Sequence, residues 1–374
     1  MRIGLNLLPV VPGIGGAWHY IANLLAALAA HDRENDYVGL VSAASASLLP
    51  GGRNITAVRA PLRASWRPLR IAYENTVFPR VARGLRLDCV HHFFGTQPLV
   101  TREPTVVSVF DAMVFARPGD FPPSKRLYLQ RMRRKAARHA SVIAPMSRST
   151  AAALHEWLDV PDDRMIVIPT ALGPQFGPKL SADVDAFRAQ HDLPELFWLC
   201  VTGSYAHKNV AGLIDAYALL HRRLPDGWRL IIRGRPTDDI AGRIMTHRLE
   251  DRVRFLPPLG DAEMPLLYAS AGALIFPSLY EGGGIPVMEA MVSGCPVVAS
   301  DLPTTREFAG DAALRFDASN DADMARAMEE CERSPAMRSR LIKSGYERAT
   351  EFSSERVAAA CIDAYRHAVA IGVR

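Results

Sequence analysis

Short runs of apolar, largely β-branched residues alternate along this chain with segments whose apolar positions recur at helical spacing. The runs fall at residues 2–8, 37–42, 55–60, 88–94, 105–110, 142–146 and 165–168, then at 197–202, 229–233, 253–256, 273–277 and 296–300. Most are near-continuous rather than alternating, the pattern of strands covered on both faces, so they predict parallel sheets with helical crossovers and an α/β class. Helical periodicity is expected to begin near Ala17, to run through residues 210–224, and to return at 355–369.

The two series of strands are separated by Pro169-Thr170-Ala171-Leu172-Gly173-Pro174-Gln175-Phe176-Gly177-Pro178, which is dense in Pro and Gly and lacks periodicity. Such a segment reads as an interdomain linker. The length of 374 residues also favours two cores over one. The expected organisation is an N-terminal doubly wound domain over 1–172 and a second over 173–354, facing each other across a cleft. The final helix, 355–374, is expected to pack back on the first domain.

Composition narrows the function. With 49% hydrophobic and 22% charged residues the chain is neither disordered nor collagenous. Its best apolar stretch, 21–30, is short and interrupted by Asn23, which argues against a membrane span. The first residues run into a Pro/Gly turn and read as a strand, not a leader. Five scattered cysteines without a CxxC pair argue against a disulfide framework or a zinc site and suit a reducing cytoplasm. The net charge of +5 is unevenly spread: residues 1–172 hold 21 Lys and Arg against 12 Asp and Glu, the remainder 23 against 27. The basic half is the first. Its charge comes without a nucleic-acid reader motif, so no nucleic-acid partner is expected.

Ligands of doubly wound sheets bind beyond the carboxyl ends of the strands, and four loops there carry candidate chemistry. Pro12-Gly13-Ile14-Gly15-Gly16 joins the first strand to its helix; glycines let backbone N–H groups approach an anion or a sugar oxygen. The spacing is not G-x-G-x-x-G and the next strand ends without a ribose-binding acid, which argues against a dehydrogenase; a plain tight turn is the competing reading. Gly203-Ser204-Tyr205-Ala206-His207-Lys208-Asn209 sets a lysine at the positive end of a helix, an unfavourable placement that an anion would relieve. The alternative is a solvated Lys208 beside an Asn209 N-cap.

The third loop, Ser278 to Met291, contains Glu281-Gly282-Gly283-Gly284-Ile285-Pro286 and then Glu289. Three glycines before a helix that Pro286 can open form a nest of N–H groups flanked by two acids. Fourth, Phe110-Asp111 and Ser147-Arg148-Ser149 end first-domain strands; the serines suit N-caps, and Asp111 is the better site candidate. His91 and His92 read as packed strand residues. The acids Asp321 and Asp323 suit a helix start better than a metal, and no metal ligands are expected.

At the third loop the sequence resembles the retaining GT-B-fold glycosyltransferases of family four. Their E-x7-E signature is matched by Glu281 and Glu289, embedded in Phe276-Pro277-Ser278, Gly294-Cys295-Pro296-Val297-Val298-Ala299-Ser300-Asp301 and Gly310-Asp311-Ala312-Ala313. The His207-Lys208-Asn209 turn and the Gly15-Gly16 loop resemble the family's phosphate and N-terminal glycine loops. The resemblance implies the GT-B fold: two Rossmann-like α/β domains. It also implies that Glu289 binds the donor ribose, that Glu281 orients the transferred sugar, and that Gly283, Gly284 and Ile285 cradle sugar and phosphate. Lys208 would face the diphosphate with Gly203, Ser204 and His207 around it, and Gly15 and Gly16 would lie against the donor. A bacterial mannosyltransferase-like enzyme is implied, using GDP-mannose first and UDP- or dTDP-sugars next, without a metal or other cofactor.

Two departures stand out. Many members carry His-Asp where this chain has Phe110-Asp111, and the arginine that often assists the lysine is not evident, leaving Arg233 or Arg235 as substitutes. The expected reaction is transfer with retention to a saccharide or lipid-diphosphate acceptor, building a polysaccharide on the cytoplasmic side. The basic helix around 125–139 and the 53–86 region would attract anionic lipid headgroups; a solvated helix face is the alternative. The rival functions are a catalytically silent nucleotide-sugar-binding or scaffold protein and a sugar-nucleotide epimerase.

Overall fold

A computed structural model of the protein describes residues 1–12, 16–51, 54–62, 66–203 and 205–373. Its contacts divide the chain into two compact units, Met1–Ala171 with Phe352–Arg374, and Leu172–Glu351. The first division falls inside the Pro/Gly segment.

The first unit is built on a parallel sheet of β1 (Arg2–Asn6), β2 (Asp36–Val41), β3 (Ile55–Arg59), β4 (Cys89–His92), β5 (Thr105–Val109) and β6 (Val142–Pro145), in the order β3-β2-β1-β4-β5-β6. Every residue of β4, β5 and β6 is buried, as expected of strands with helices on both faces. The order reverses between β1 and β4, where Asn6 lies in register with His92. The helix Ser354–Ile371 belongs to this unit. It packs against the helix Gly16–His31, and its Tyr365 hydroxyl pairs with His91 Nδ1 at 2.9 Å. Beyond the helix, the Gly372 carbonyl accepts from Ser141 Oγ at 2.6 Å.

Residues 165–168 do not form the expected strand. Met165 makes a single parallel bridge to Ile143, and the amides of Ile166 and Ile168 donate to the carbonyls of Ile143 and Pro145 at 3.1 and 2.9 Å. Pro145 has no N–H to return, so the ladder cannot continue.

The second unit repeats the plan with β7 (Phe197–Val201), β8 (Arg229–Arg233), β9 (Val253–Leu256), β10 (Ala273–Phe276), β11 (Val297–Ser300) and β12 (Ala313–Phe316), ordered β12-β11-β10-β7-β8-β9. The reversal here lies between β7 and β10. Strand β12 was not expected from the pattern: it is four residues long, pairs only with β11 and carries Arg315 in its interior. One face of the sheet packs Trp198, Ile214, Tyr217, Ile232 and Met328 into a continuous core, each large side chain contributing about 1.5–3 kcal/mol. All five cysteines are buried and free. No helix among the described residues is long and apolar enough to cross a membrane.

Candidate functional site

The loops after β7 and β10 flank the reversal of the second sheet, and the fold ties them together. Leu279 N donates to His207 O at 2.7 Å, joining one loop to the other. Within the first loop, residues Ala206–Lys208 form a 3-10 turn, and Asn209 follows in the left-handed region at φ 52°. Its side-chain amide does not cap the helix Val210–Arg223 but donates to Ala318 O at 2.9 Å. This turn carries Lys208 under the second loop, where Nζ donates to Glu281 Oε1 at 2.5 Å. The two side chains are 20% and 12% exposed, so the ion pair is largely desolvated. Phe276, the last residue of β10, places its ring centroid 5.7 Å from Nζ. Lys208 is therefore not the solvated residue of the alternative reading.

Past Glu281 the chain must bend sharply. Gly282, Gly283 and Gly284 are buried, and Gly284 takes φ 53° as the N-cap of the helix Ile285–Val292. A Cβ there would sit 3.6 Å from the Phe308 ring, an ordinary contact, so the demand for glycine comes from the backbone angle. Pro286 fills the first turn, where the missing N–H costs nothing. Amides at the head of this helix have no preceding turn of carbonyls to pair with, and the helix end adds partial positive charge. Thr304 holds the bend from outside by donating to Glu281 O at 2.7 Å.

One turn into that helix, Glu289 is 8% exposed and accepts from Tyr268 OH at 2.9 Å. Burial pushes its carboxyl up to about 7, Asp261 adds to the rise, and the Tyr268 hydrogen bond and the charge of Arg233 oppose it. Arg233, the last residue of β8, is half-buried, and its Nε has no hydrogen-bond partner. Arg235 is exposed. The structure thus brings Lys208, Glu281, Gly283, Gly284, Ile285, Glu289 and Arg233 to the carboxyl end of one sheet, with His207 at its edge stacked on Tyr205. Gly203 is exposed at the start of the turn; Ser204 lies outside the described residues.

The remaining candidates belong to the first unit. Gly16 is the first residue of its helix, and Gly15 lies outside the described residues. Asp111 serves locally: its Oδ1 accepts from Met113 N at 2.9 Å and from Arg133 Nη1 at 3.2 Å, and Arg133 also holds the Asp111 carbonyl at 2.8 Å. Phe110 meets Tyr20 and Phe94 edge-on, at 5.1 and 5.3 Å between centroids. Ser147 is the N-cap of the helix Arg148–Leu158. Asp321 and Asp323 open the helix Asp321–Arg333 behind an Asn320 cap. Among the described residues no group of three or more His, Cys, Asp or Glu is placed to hold a metal. Sequence reasoning missed Tyr268, Asp261 and Thr304, whose spacing gives no signal; they enter the site only through the packing of their helices and loops on the triple-glycine bend.

Comparison with known proteins completes the picture. The family described as glycosyl transferases group 1 matches residues 183–348, and that described as glycosyltransferase family 4 matches residues 14–175. O-antigen chain mannosyltransferase B of Escherichia coli is 27% identical over 269 residues, covering 71% of this chain and 70% of that protein. Sucrose-phosphate synthase from Thermosynechococcus elongatus superposes with a TM-score of 0.78 at 19% identity, over 98% of both chains. HepE from Anabaena, solved in complex with UDP and glucose, does so at 0.75 and 18%, over 97% of this chain and 98% of that one. At such identities the structural likeness establishes the fold.

Proposed function

The chain belongs to the group 1, family 4 glycosyltransferases of the GT-B fold, and from that premise we propose that it moves a hexosyl group from a nucleotide sugar to a saccharide or lipid-linked acceptor in bacterial polysaccharide synthesis. The observation that carries the reading is the desolvated Lys208–Glu281 pair at the triple-glycine bend, followed by a helix that carries the buried Glu289 one turn from its start. Likeness to an O-antigen mannosyltransferase supports mannose and hence GDP-mannose as first donor; the UDP complex of a protein of the same fold supports UDP-sugars next, with dTDP-sugars after them.

In this reading Glu289 takes the ribose hydroxyls, Arg233 and Lys208 face the diphosphate, and the N–H groups of Gly283, Gly284 and Ile285 take sugar and phosphate oxygens, with Gly203, Ser204 and His207 around them. Gly15 and Gly16 are the first unit's contribution. As the bond from the anomeric carbon to the diphosphate oxygen breaks, negative charge grows on the leaving group. Fixed donors and a cation therefore stabilise the transition state more than the ground state. The acceptor hydroxyl attacks the face that the diphosphate leaves, passes its proton to a phosphate oxygen and retains the anomeric configuration. Glu281 and Asp111 are the carboxylates assigned to sugar orientation and catalysis, and no metal or other cofactor takes part. The basic, partly apolar surface of the helix Pro123–His139 fits a location at the cytoplasmic face of an anionic membrane.

The test is release of nucleoside diphosphate by the purified protein from GDP-mannose, UDP-glucose and dTDP-sugars, with and without oligosaccharide acceptors. Acceptor-dependent release that disappears in Glu281→Ala and Lys208→Ala is the expected result. Tight donor binding without turnover across the panel would leave a silent binding protein instead, and conversion of the donor without acceptor an epimerase.

A further inference from the structure

A second polar cluster lies at the order reversal of the first sheet, the place where a doubly wound sheet binds ligands. Asn6 ends β1 and His92 ends β4, side by side. The Asn6 side-chain nitrogen donates to Glu74 Oε1 at 2.9 Å and faces His92 Nδ1 at 3.1 Å, while its Oδ1 accepts from Leu8 N at 3.3 Å. The last contact fixes which way the amide points, so His92 Nδ1 is the acceptor of the pair. Burial pushes the His92 ring down to about 3, leaving it neutral with its hydrogen on Nε2. That Nε2 is buried and has no hydrogen-bond partner.

Glu74 sits on the helix Arg67–Thr76 with Arg70 beside it, Nε to Oε2 3.5 Å, and their side chains are 13% and 16% exposed. The Arg70 Nε is also buried without a hydrogen-bond partner. Burial raises the Glu74 carboxyl, against the Asn6 hydrogen bond and the Arg70 charge. From the helix Pro123–His139, Tyr128 approaches closely enough for the charges of Glu74 and Arg70 to act on its hydroxyl. Unmet N–H groups cost stability, and each one in a folded protein calls for a reason. Here Arg70 Nε reaches the Glu74 carboxylate only as a 3.5 Å ion pair, and the His92 ring, whose Nε2 is unmet, joins the same carboxylate through the Asn6 amide.

Resting on the reading above, we propose that Glu74 and Arg70 bind a hydroxyl pair of a saccharide acceptor, with Asn6 and His92 as positioning residues that hold Glu74 from behind. A sugar hydroxyl both donates and accepts, so it satisfies Glu74 and Arg70 together. A phosphate only accepts and would face the Glu74 carboxylate. The first unit therefore selects the sugar end of its acceptor, not a diphosphate.

The sign of the effect of removing the Glu74 charge separates the two chemistries. Binding of methyl glycosides of mannose, glucose, galactose and rhamnose, and of inorganic phosphate, is measured by ligand-observed NMR on the full chain. In Glu74→Gln, glycoside binding should weaken about tenfold, while phosphate binding should hold or tighten; retained nucleoside diphosphate binding reports an intact fold. Arg70→Gln, the second variant if Glu74→Gln does not fold, should weaken glycoside binding by a similar factor and, because it removes the cation, weaken any phosphate binding as well. Unchanged glycoside binding in the variants, weakened phosphate binding in Glu74→Gln, or no glycoside binding to the wild-type chain overturns the proposal. The measurement needs no turnover, so a protein that transfers nothing can still pass or fail it.

Discussion

Lys208 Nζ and Glu281 Oε1 are 2.5 Å apart, so the cation and the acid expected to contact different parts of a donor are each other's partner in the folded chain. The pair removes the penalty of a lysine at the positive end of the helix Val210–Arg223 and keeps both side chains in place. A donor diphosphate would take over the role of Glu281 as counter-charge and release that carboxylate toward the sugar.

This coupling is measurable in stability as well as rate. Lys208→Met strands a carboxylate that is 12% exposed and should cost about 1–3 kcal/mol. Glu281→Gln strands the ammonium and should cost a similar amount. The double variant should lose less than the sum, with a coupling of about 0.5–3 kcal/mol in urea unfolding. Transfer should fall in each single variant by about a hundred- to a thousandfold and should not recover in the double variant. Recovery of rate along with stability would reduce the pair to a structural element.

Glu289 should make donor binding depend on pH near neutrality. Its folded carboxyl titrates at about 7, above the ordinary value of 4.5, so the folded state holds a proton that the unfolded state has lost. The associated stability is complete below the ordinary value and declines as pH rises toward 7, by up to about 3 kcal/mol. Glu289→Gln removes this dependence, so the variant should gain stability relative to wild type between pH 5 and 8 in urea titrations. Ribose hydroxyls favour the ionised carboxylate as acceptor, so donor KM should rise by about tenfold from pH 8 to pH 6 in the wild type and remain flat in Glu289→Gln. A flat wild-type profile would mean that the ribose does not contact this carboxylate.

The buried Tyr365 hydroxyl should contribute measurably to holding the C-terminal helix. Tyr365 is fully buried, and its OH meets His91 Nδ1 while His91 Nε2 meets Ser108 Oγ at 2.7 Å. Tyr365→Phe leaves one ring nitrogen of a wholly buried histidine unpaired and should cost about 1–3 kcal/mol. Burial holds His91 and His92 down to about 3, below their ordinary value of 6.5. The unfolded chain thus takes up protons first, and stability should fall as pH drops from that value toward 3. Acid titration followed by circular dichroism checks both effects.

The sequence made the α/β plan legible because parallel strands buried on both faces are largely apolar, as β6 and β10 are throughout. It misled at residues 165–168, where the same apolar pattern runs beside Pro145 and cannot be paired beyond a bridge. It was silent at β12, an edge strand too short to show a period. Glu281, Glu289 and the glycine bend were legible because a helix opened by Gly and Pro leaves a local signature. The partners that set their electrostatics were not: Tyr268 reaches Glu289 from another helix, and Lys208 reaches Glu281 across 73 residues of chain. Nothing local in the sequence encodes such meetings. The same holds for the Asn6–Glu74 hydrogen bond, which spans 68 residues.

Asp111 is the candidate for which structural and catalytic roles must be separated by experiment. Its carboxylate already caps Met113 N and pairs with Arg133, and its backbone carbonyl holds the same arginine. Asp111→Asn keeps an oxygen for the Met113 amide and leaves the carbonyl contact untouched. Only the charge opposite an arginine whose side chain is 10% exposed is lost, so stability should fall by about 1–2 kcal/mol. Asp111→Ala also removes the cap and should cost about 1 kcal/mol more. With Asp111 a member of the catalytic set, Asp111→Asn should lower transfer by at least about a hundredfold at a temperature where the variant remains folded, with donor affinity unchanged. Transfer that tracks stability across the two variants would instead confine this acid to anchoring Arg133, and would leave the chemistry to the second unit.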